Sequence, residues 1–172
     1  MTGVKLGDRL LHVGCSEASL MAAIGSKVGL SGRVCAVVPD ADAAARARRG
    51  AEDAGFLLEL ESRIATPFPF DEGAFDLIVV DNLDGMLARM RPEERAAVLR
   101  ETFRLLAPRG RAIVIERAAR GGFGGLFRSG AAPDDPQYRA SGGAIPALET
   151  EGFRSARLLA ERDGLSFFEG VR

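Results

Sequence analysis

The sequence predicts an α/β domain: a doubly wound, seven-stranded, mostly parallel sheet of Rossmann-like type, helices on both faces, and a C-terminal antiparallel hairpin. Three observations carry this expectation. Short apolar runs alternate with stretches of helical periodicity. The runs are nearly all apolar, as in strands covered on both faces. The last two runs flank an Asp-Gly turn, a hairpin signal.

Arg9-Leu10-Leu11-His12-Val13 is the first run, ending in Gly14, and Leu20, Ala23, Ile24 and Val28 then recur at helical spacing. Gly32-Arg33 opens a second run, Val34 to Val38, which stops at Pro39-Asp40 before an Ala- and Arg-rich helix over Ala41 to Ala54. Phe56 to Leu60 makes a third strand and Phe75 to Val80 a fourth. The next helix starts at Pro92, a residue suited to a first helical turn. It carries Ala96, Leu99, Phe103 and Leu106 on one face and closes at Pro108-Arg109-Gly110. Arg111 to Glu116 is a fifth strand, Pro146 to Glu151 a short helix, and Phe153 to Leu159 and Leu165 to Val171 pair across Arg162-Asp163-Gly164. The stretch 118–143 is irregular and rich in Gly, Ser and Pro, with Gly121-Gly122-Phe123-Gly124-Gly125-Leu126-Phe127 inside it.

A chain of 172 residues, 47% hydrophobic, suits a single domain spanning 1–172 that buries its own core. The 23 Lys and Arg nearly balance the 24 Asp and Glu, so no global field favours nucleic acid or an anionic membrane. Met1-Thr2-Gly3-Val4-Lys5 lacks a signal-peptide core and no run approaches the roughly 18 to 20 apolar residues that span a bilayer, so a cytoplasmic location is expected. Cys15 and Cys35 are expected as reduced thiols. No cluster has metal-ligand spacing, and the single histidine, His12, would have to serve any Ser-His or Cys-His pair.

Five segments, in order, resemble the class I S-adenosylmethionine (SAM)-dependent methyltransferases, in particular the group that includes ubiquinone and menaquinone biosynthesis enzymes. Gly7 to Cys15 is similar to that family's first strand and cofactor loop, and Gly32 to Arg48 to its second strand and helix. Pro67-Phe68-Pro69-Phe70-Asp71-Glu72-Gly73-Ala74-Phe75-Asp76 resembles the segment entering the fourth strand. Leu106-Ala107-Pro108-Arg109-Gly110 and Glu151-Gly152-Phe153 resemble the turns before the fifth and sixth. The resemblance implies a SAM cleft at the carboxyl ends of the strands. Loop glycines there let the backbone approach the ligand, and acids contact the methionine end, the ribose diol and the adenine.

This sequence departs from the pattern at those places. His12 stands at the first-strand acid, Ser16 and Ala18 at two loop glycines, Val38 at the ribose acid and Ile64 at the adenine acid; Gly14 alone is kept. Hydrogen bonds to charged groups contribute roughly 1.5 to 3 kcal/mol each, so losing two would weaken SAM by about 10² to 10⁴-fold. SAM is therefore a doubtful cofactor here, and Val38→Asp with Ser16→Gly and Ala18→Gly is expected to recover affinity.

Each candidate has two roles open to it. His12 is a base or ligand at the pocket floor, or a hydrogen-bonded residue at a strand end. Glu17 offers a carboxylate to the pocket or complements a helix dipole; Asp40 replaces the ribose acid or caps a helix. Asp81 and Asn82 face substrate or serve as loop and cap residues. No catalytic residue is assigned. The segment 118–143 is expected to form a lid or a partner-binding surface; no N-terminal lid helices are expected, and a pocket with little cover is expected to admit water. The expected function is that of a methyltransferase-like protein with a degenerate SAM pocket, acting through a protein partner or a second copy of itself. The alternatives are an active methyltransferase of a small molecule with atypical cofactor contacts, and a binding module for another ligand complemented by His12 and Glu17.

Overall fold

A computed structural model describes residues 2–118, 138 and 140–172. The strands are β1 (Arg9–Val13), β2 (Arg33–Val37), β3 (Leu58–Glu61), β4 (Phe75–Asp81), β5 (Leu106–Arg117), β6 (Arg154–Arg162) and β7 (Leu165–Val171). The helices are α1 (Ala18–Gly25), α2 (Ala41–Ala54), α3 (Met86–Arg89), α4 (Pro92–Leu105) and α5 (Ala144–Thr150). One seven-stranded sheet has the order β3-β2-β1-β4-β5-β7-β6. β1 to β5 run parallel, and β7 joins β5 and β6 antiparallel.

The topology reverses direction at β1, where the chain crosses from β3 back to β4, so the carboxyl ends of β1, β2 and β4 flank the crevice where such sheets bind ligands. Alternation along β1 divides the core. Leu11 and Val13 join one cluster with Ile78, Val80, Leu99 and Leu105, whereas Leu10 joins another with Ile24, Val28, Val79 and Ile113. His12 shares the second face with Leu10, and Asp81 shares it with Val79.

Three local differences from the sequence expectation have physical reasons. α4 ends at Leu105 rather than at Pro108, and β5 begins at once. Between Phe75↔Leu106 and Leu77↔Arg111 the register jumps across Pro108, which has no N–H to give the ladder, and Arg109 at φ 67°. The buried stripe of α4 is Val98, Leu99, Thr102 and Leu105, one position off the expected Ala96–Leu99–Phe103–Leu106 set. Thr102 sits in it at 0% exposure because its hydroxyl donates to Val98 O at 2.9 Å. Phe103 instead packs edge-on against Phe153. The third difference is α3, which follows the left-handed Gly85 and had no periodic signature. The Gly-rich run 121–127 and most of the expected lid segment lie outside the described residues.

Candidate active-site cleft

At the crevice lies a cavity of about 280 Å³ lined by Gly14, Cys15, Pro39, Asp40, Arg46, Asp81, Asp84, Met86, Arg89, Met90 and Glu94. It is small beside the roughly 300 to 1,000 Å³ usual for ligand sites. Its floor is built by β1 and β4. Gly14 takes φ 83°, and a Cβ on it would stand 2.9 Å from the carbonyl oxygen of Asp81. The glycine is therefore required by the protein's own backbone.

Asp81 is 1% exposed. Its carboxylate accepts from the Ser16 backbone N–H (2.8 Å), the Ser16 hydroxyl (2.7 Å) and the Leu83 N–H (3.2 Å). A buried carboxylate persists when donors surround it in this way. The residue thus ties the loop after β1 to the loop after β4. Asn82 does the same between β4 and β5: its amide donates to Glu116 Oε1 (2.8 Å), and its Oδ1 accepts from the Leu87 N–H (2.7 Å). Both residues act as loop and cap groups here, and Asp81 also lines the cavity.

His12 is buried completely. Its Nδ1 lies 2.8 Å from Gly14 O, which can only accept, so Nδ1 carries the proton and the neutral ring leaves Nε2 as an acceptor. Nε2 has no hydrogen-bond partner. Burial pushes the ring's pKa below its usual value, opposed by the nearby Asp81 carboxylate and the bond to Gly14. Nothing places His12 on the cavity wall, so the strand-end role describes its observed contacts.

The other expected site residues are dispersed. Glu17 is the N-cap residue of α1, makes no side-chain cap, and pairs with Arg117 at 3.0 Å. Its carboxylate stays at the amino end of α1, as the dipole role expects, shared with Arg117 at the end of β5, and it does not line the cavity. Asp40 caps α2 by accepting from the Ala43 N–H at 2.7 Å. Ala18 opens α1, its carbonyl 2.5 Å from where a Cβ on Gly50 would stand, which packs the two helices closely. Val38 is 0% exposed in a cluster with Cys15, Met21, Ala43 and Ala44. Ile64 packs on the larger core cluster. The cleft thus unites Gly14, Asp40 and Asp81, while His12 and Val38 belong to the interior and Ile64 is half-buried against the core. Arg46, whose Nε donates to Cys15 O at 2.9 Å, was not anticipated. Neither was Glu116, which also accepts from the Tyr138 hydroxyl at 2.7 Å. Glu116 carries a legible signal, an acid ending the apolar run of β5 at the sheet's ligand-binding edge.

Cys15 and Cys35 are both free and buried. Burial pushes the Cys15 thiol up to about 11, and Asp81 adds to the shift against Arg46 and Arg49. At pH 7.5 its thiolate population falls about 300-fold below that of an ordinary thiol near 8.5. Labelling by a disulfide reagent is accordingly expected to be slow in the native chain and fast in urea. Equal rates in both would show that the thiol is accessible. Among the described residues no cluster of three or more His, Cys, Asp or Glu could hold a metal, and no helix is long and apolar enough to cross a membrane.

This topology and crevice define a Rossmann-like domain of the methyltransferase class. The chain belongs to the family of methyltransferase domains, whose family model matches residues 10–110. No curated protein sequence matches it significantly. Among solved structures it is similar to a SAM-dependent methyltransferase from Aquifex aeolicus, with 18% identity, TM-score 0.69, 99% of this chain and 85% of that one covered. It is also similar to the [4+2]-cyclase SpnF, with 17% identity, TM-score 0.66, and 99% and 76% covered. PigF, in a structure with SAH, matches at 20% identity and TM-score 0.64, with 96% of this chain covering half of that one.

The residues present do not fit SAM in the manner the family resemblance implies. At the positions the resemblance gives to the ribose and adenine acids, Val38 lies in the core and Ile64 packs on it, and Asp40 uses its Oδ1 for the cap of α2. The loop donor Ser16 N–H is already bonded to Asp81.

Proposed function

We propose that this methyltransferase-family domain holds SAM weakly or not at all and acts through a protein partner or a second copy of itself. The observation that carries the proposal is Val38. In the resembling family a carboxylate at this position accepts from both ribose hydroxyls; here the valine is enclosed with Cys15, Met21, Ala43 and Ala44 and offers no acceptor. Each lost charged hydrogen bond costs roughly 1.5 to 3 kcal/mol of affinity. Neither nucleic acid nor a membrane surface is the proposed partner, given the near balance of charge.

A second reading, an active methyltransferase of a small molecule with atypical cofactor contacts, has one observation in its favour. Four carboxylates and two arginines line the cleft, a formal excess of two negative charges that suits a net cationic ligand such as SAM. Calorimetry on the whole chain separates the two. Kd values for SAM and its demethylated product are expected above ~10 μM, since tighter binding would require the full set of contacts. A lower value in wild type would overturn the first reading and favour the second. Sedimentation equilibrium and co-purification address the partner: a strict monomer with nothing bound would remove that half of the proposal.

A further inference from the structure

The loop after β1 ends at the amino terminus of α1, and a backbone N–H in such a place is a natural seat for an anion. Here the seat is taken. Asp81 Oδ2 accepts from the Ser16 N–H at 2.8 Å, and both carboxylate oxygens lie within 2.8 Å of the Ser16 hydroxyl; Asp81 itself is 1% exposed and Ser16 half-buried. Asp81 also lines the cavity, whose volume corresponds to a sphere about 8 Å across. Asp84 is paired to Arg89 at 2.7 Å, and Glu94 to Arg91 at 2.6 Å, outside the lining. Arg46 and Arg89 offset two of the four lining carboxylates and Arg91 a third, which leaves an excess of one negative charge.

We propose that Asp81 determines ligand selection in this cleft: as a resident anion on the loop donors, it turns the site away from ligands bearing a carboxylate and toward nucleoside sulfonium or amine ligands of higher positive charge. This rests on the crevice being the ligand site of the methyltransferase-family domain. Two carboxylates about 12 Å apart at an effective dielectric of about 20 repel enough to weaken binding about tenfold. Any ligand carboxylate within a cavity of this size lies inside that distance. An ammonium in its place gains by the same interaction.

The test compares SAM, of net charge +1, with decarboxylated SAM, of net charge +2, by calorimetry at low ionic strength on the whole chain. Decarboxylated SAM is expected to bind about tenfold or more tightly than SAM. Asp81→Asn keeps the shape and an acceptor for Ser16 N–H but removes the charge, and should bring the ratio below about threefold with the circular dichroism spectrum retained. If that variant does not fold, ionic strength supplies the readout in wild type, because a charge-based preference shrinks as salt rises. Equal or tighter binding of SAM in wild type, a ratio indifferent to both the variant and salt, or no binding of either ligand at about 5 mM would overturn the proposal. The outcomes separate from those above, since the earlier proposal stands or falls on the absolute affinity for SAM and this one on a ratio.

Discussion

Val38→Asp is expected to lower the unfolding free energy by about 3 to 5 kcal/mol, because it leaves an unpaired carboxylate in the interior. Val38 is fully buried, its N–H donates to Glu61 O at 2.9 Å, and the side chains clustered with it are Cys15, Met21, Ala43 and Ala44. None of these can donate strongly to a carboxylate at this position, and Cys15 already directs its thiol toward Glu17 O. The reversion that looks simplest in sequence is thus opposed by packing: the acid site has been absorbed into the interface of α1, α2 and the sheet. Urea titration measures the loss, and its pH dependence identifies the cause. Burial raises the new carboxyl's pKa above the unfolded value near 3.9, so the deficit relative to wild type should grow as pH rises from about 4 and shrink as pH falls back. Wild-type stability together with restored SAM binding would place residue 38 on the cleft wall and sink this interpretation.

What could be seen in the chain without a structure follows from which residues advertise their surroundings. β1 and α2 were bounded correctly because Gly14 and the pair Pro39-Asp40 punctuate them, and Asp40 then caps α2 as its type suggests. The hairpin β6–β7 was marked by Asp163-Gly164, both at positive φ. The bulge before Arg111 was hidden because a Pro-Arg-Gly turn and a bulged strand entry have the same composition. Asp81 shows the limit most clearly. That it lies at the carboxyl end of β4 is legible, but whether its carboxylate faces solvent, a ligand or the loop after β1 depends on where Ser16 sits in that loop, a long-range fact that no local pattern encodes. Val38 and Ile64 read as losses from a cleft; the full burial of Val38 and the packing of Ile64 on the core show that they are also gains to it.

The other large effect belongs to Gly14 and to the histidine beneath it. Gly14→Ala is expected to cost about 2 to 4 kcal/mol, since a left-handed φ of 83° is combined with a Cβ only 2.9 Å from the Asp81 carbonyl, a backbone atom that cannot swing away. Movement of Gly14 would also release the Gly14 carbonyl from His12 Nδ1. The same clamp makes the fold sensitive to pH. His12 has a folded pKa below the unfolded value near 6.5, so the unfolded chain binds the proton more readily than the folded one. Its contribution to stability is complete above about pH 6.5 and is lost as pH falls toward the folded pKa, at about 1.4 kcal/mol per pH unit within that window. The carboxylates held low by arginine, Asp76 beside Arg9 and Glu101 beside Arg104, add their own loss only at more acidic pH. His12→Leu removes both the titration and the unpartnered Nε2, and should flatten the stability profile just below pH 6.5, relative to wild type, while leaving the acid limb set by the carboxylates. As the only histidine, His12 gives a single imidazole resonance, and a native-state titration midpoint at or above 6.5 would contradict the buried, neutral ring.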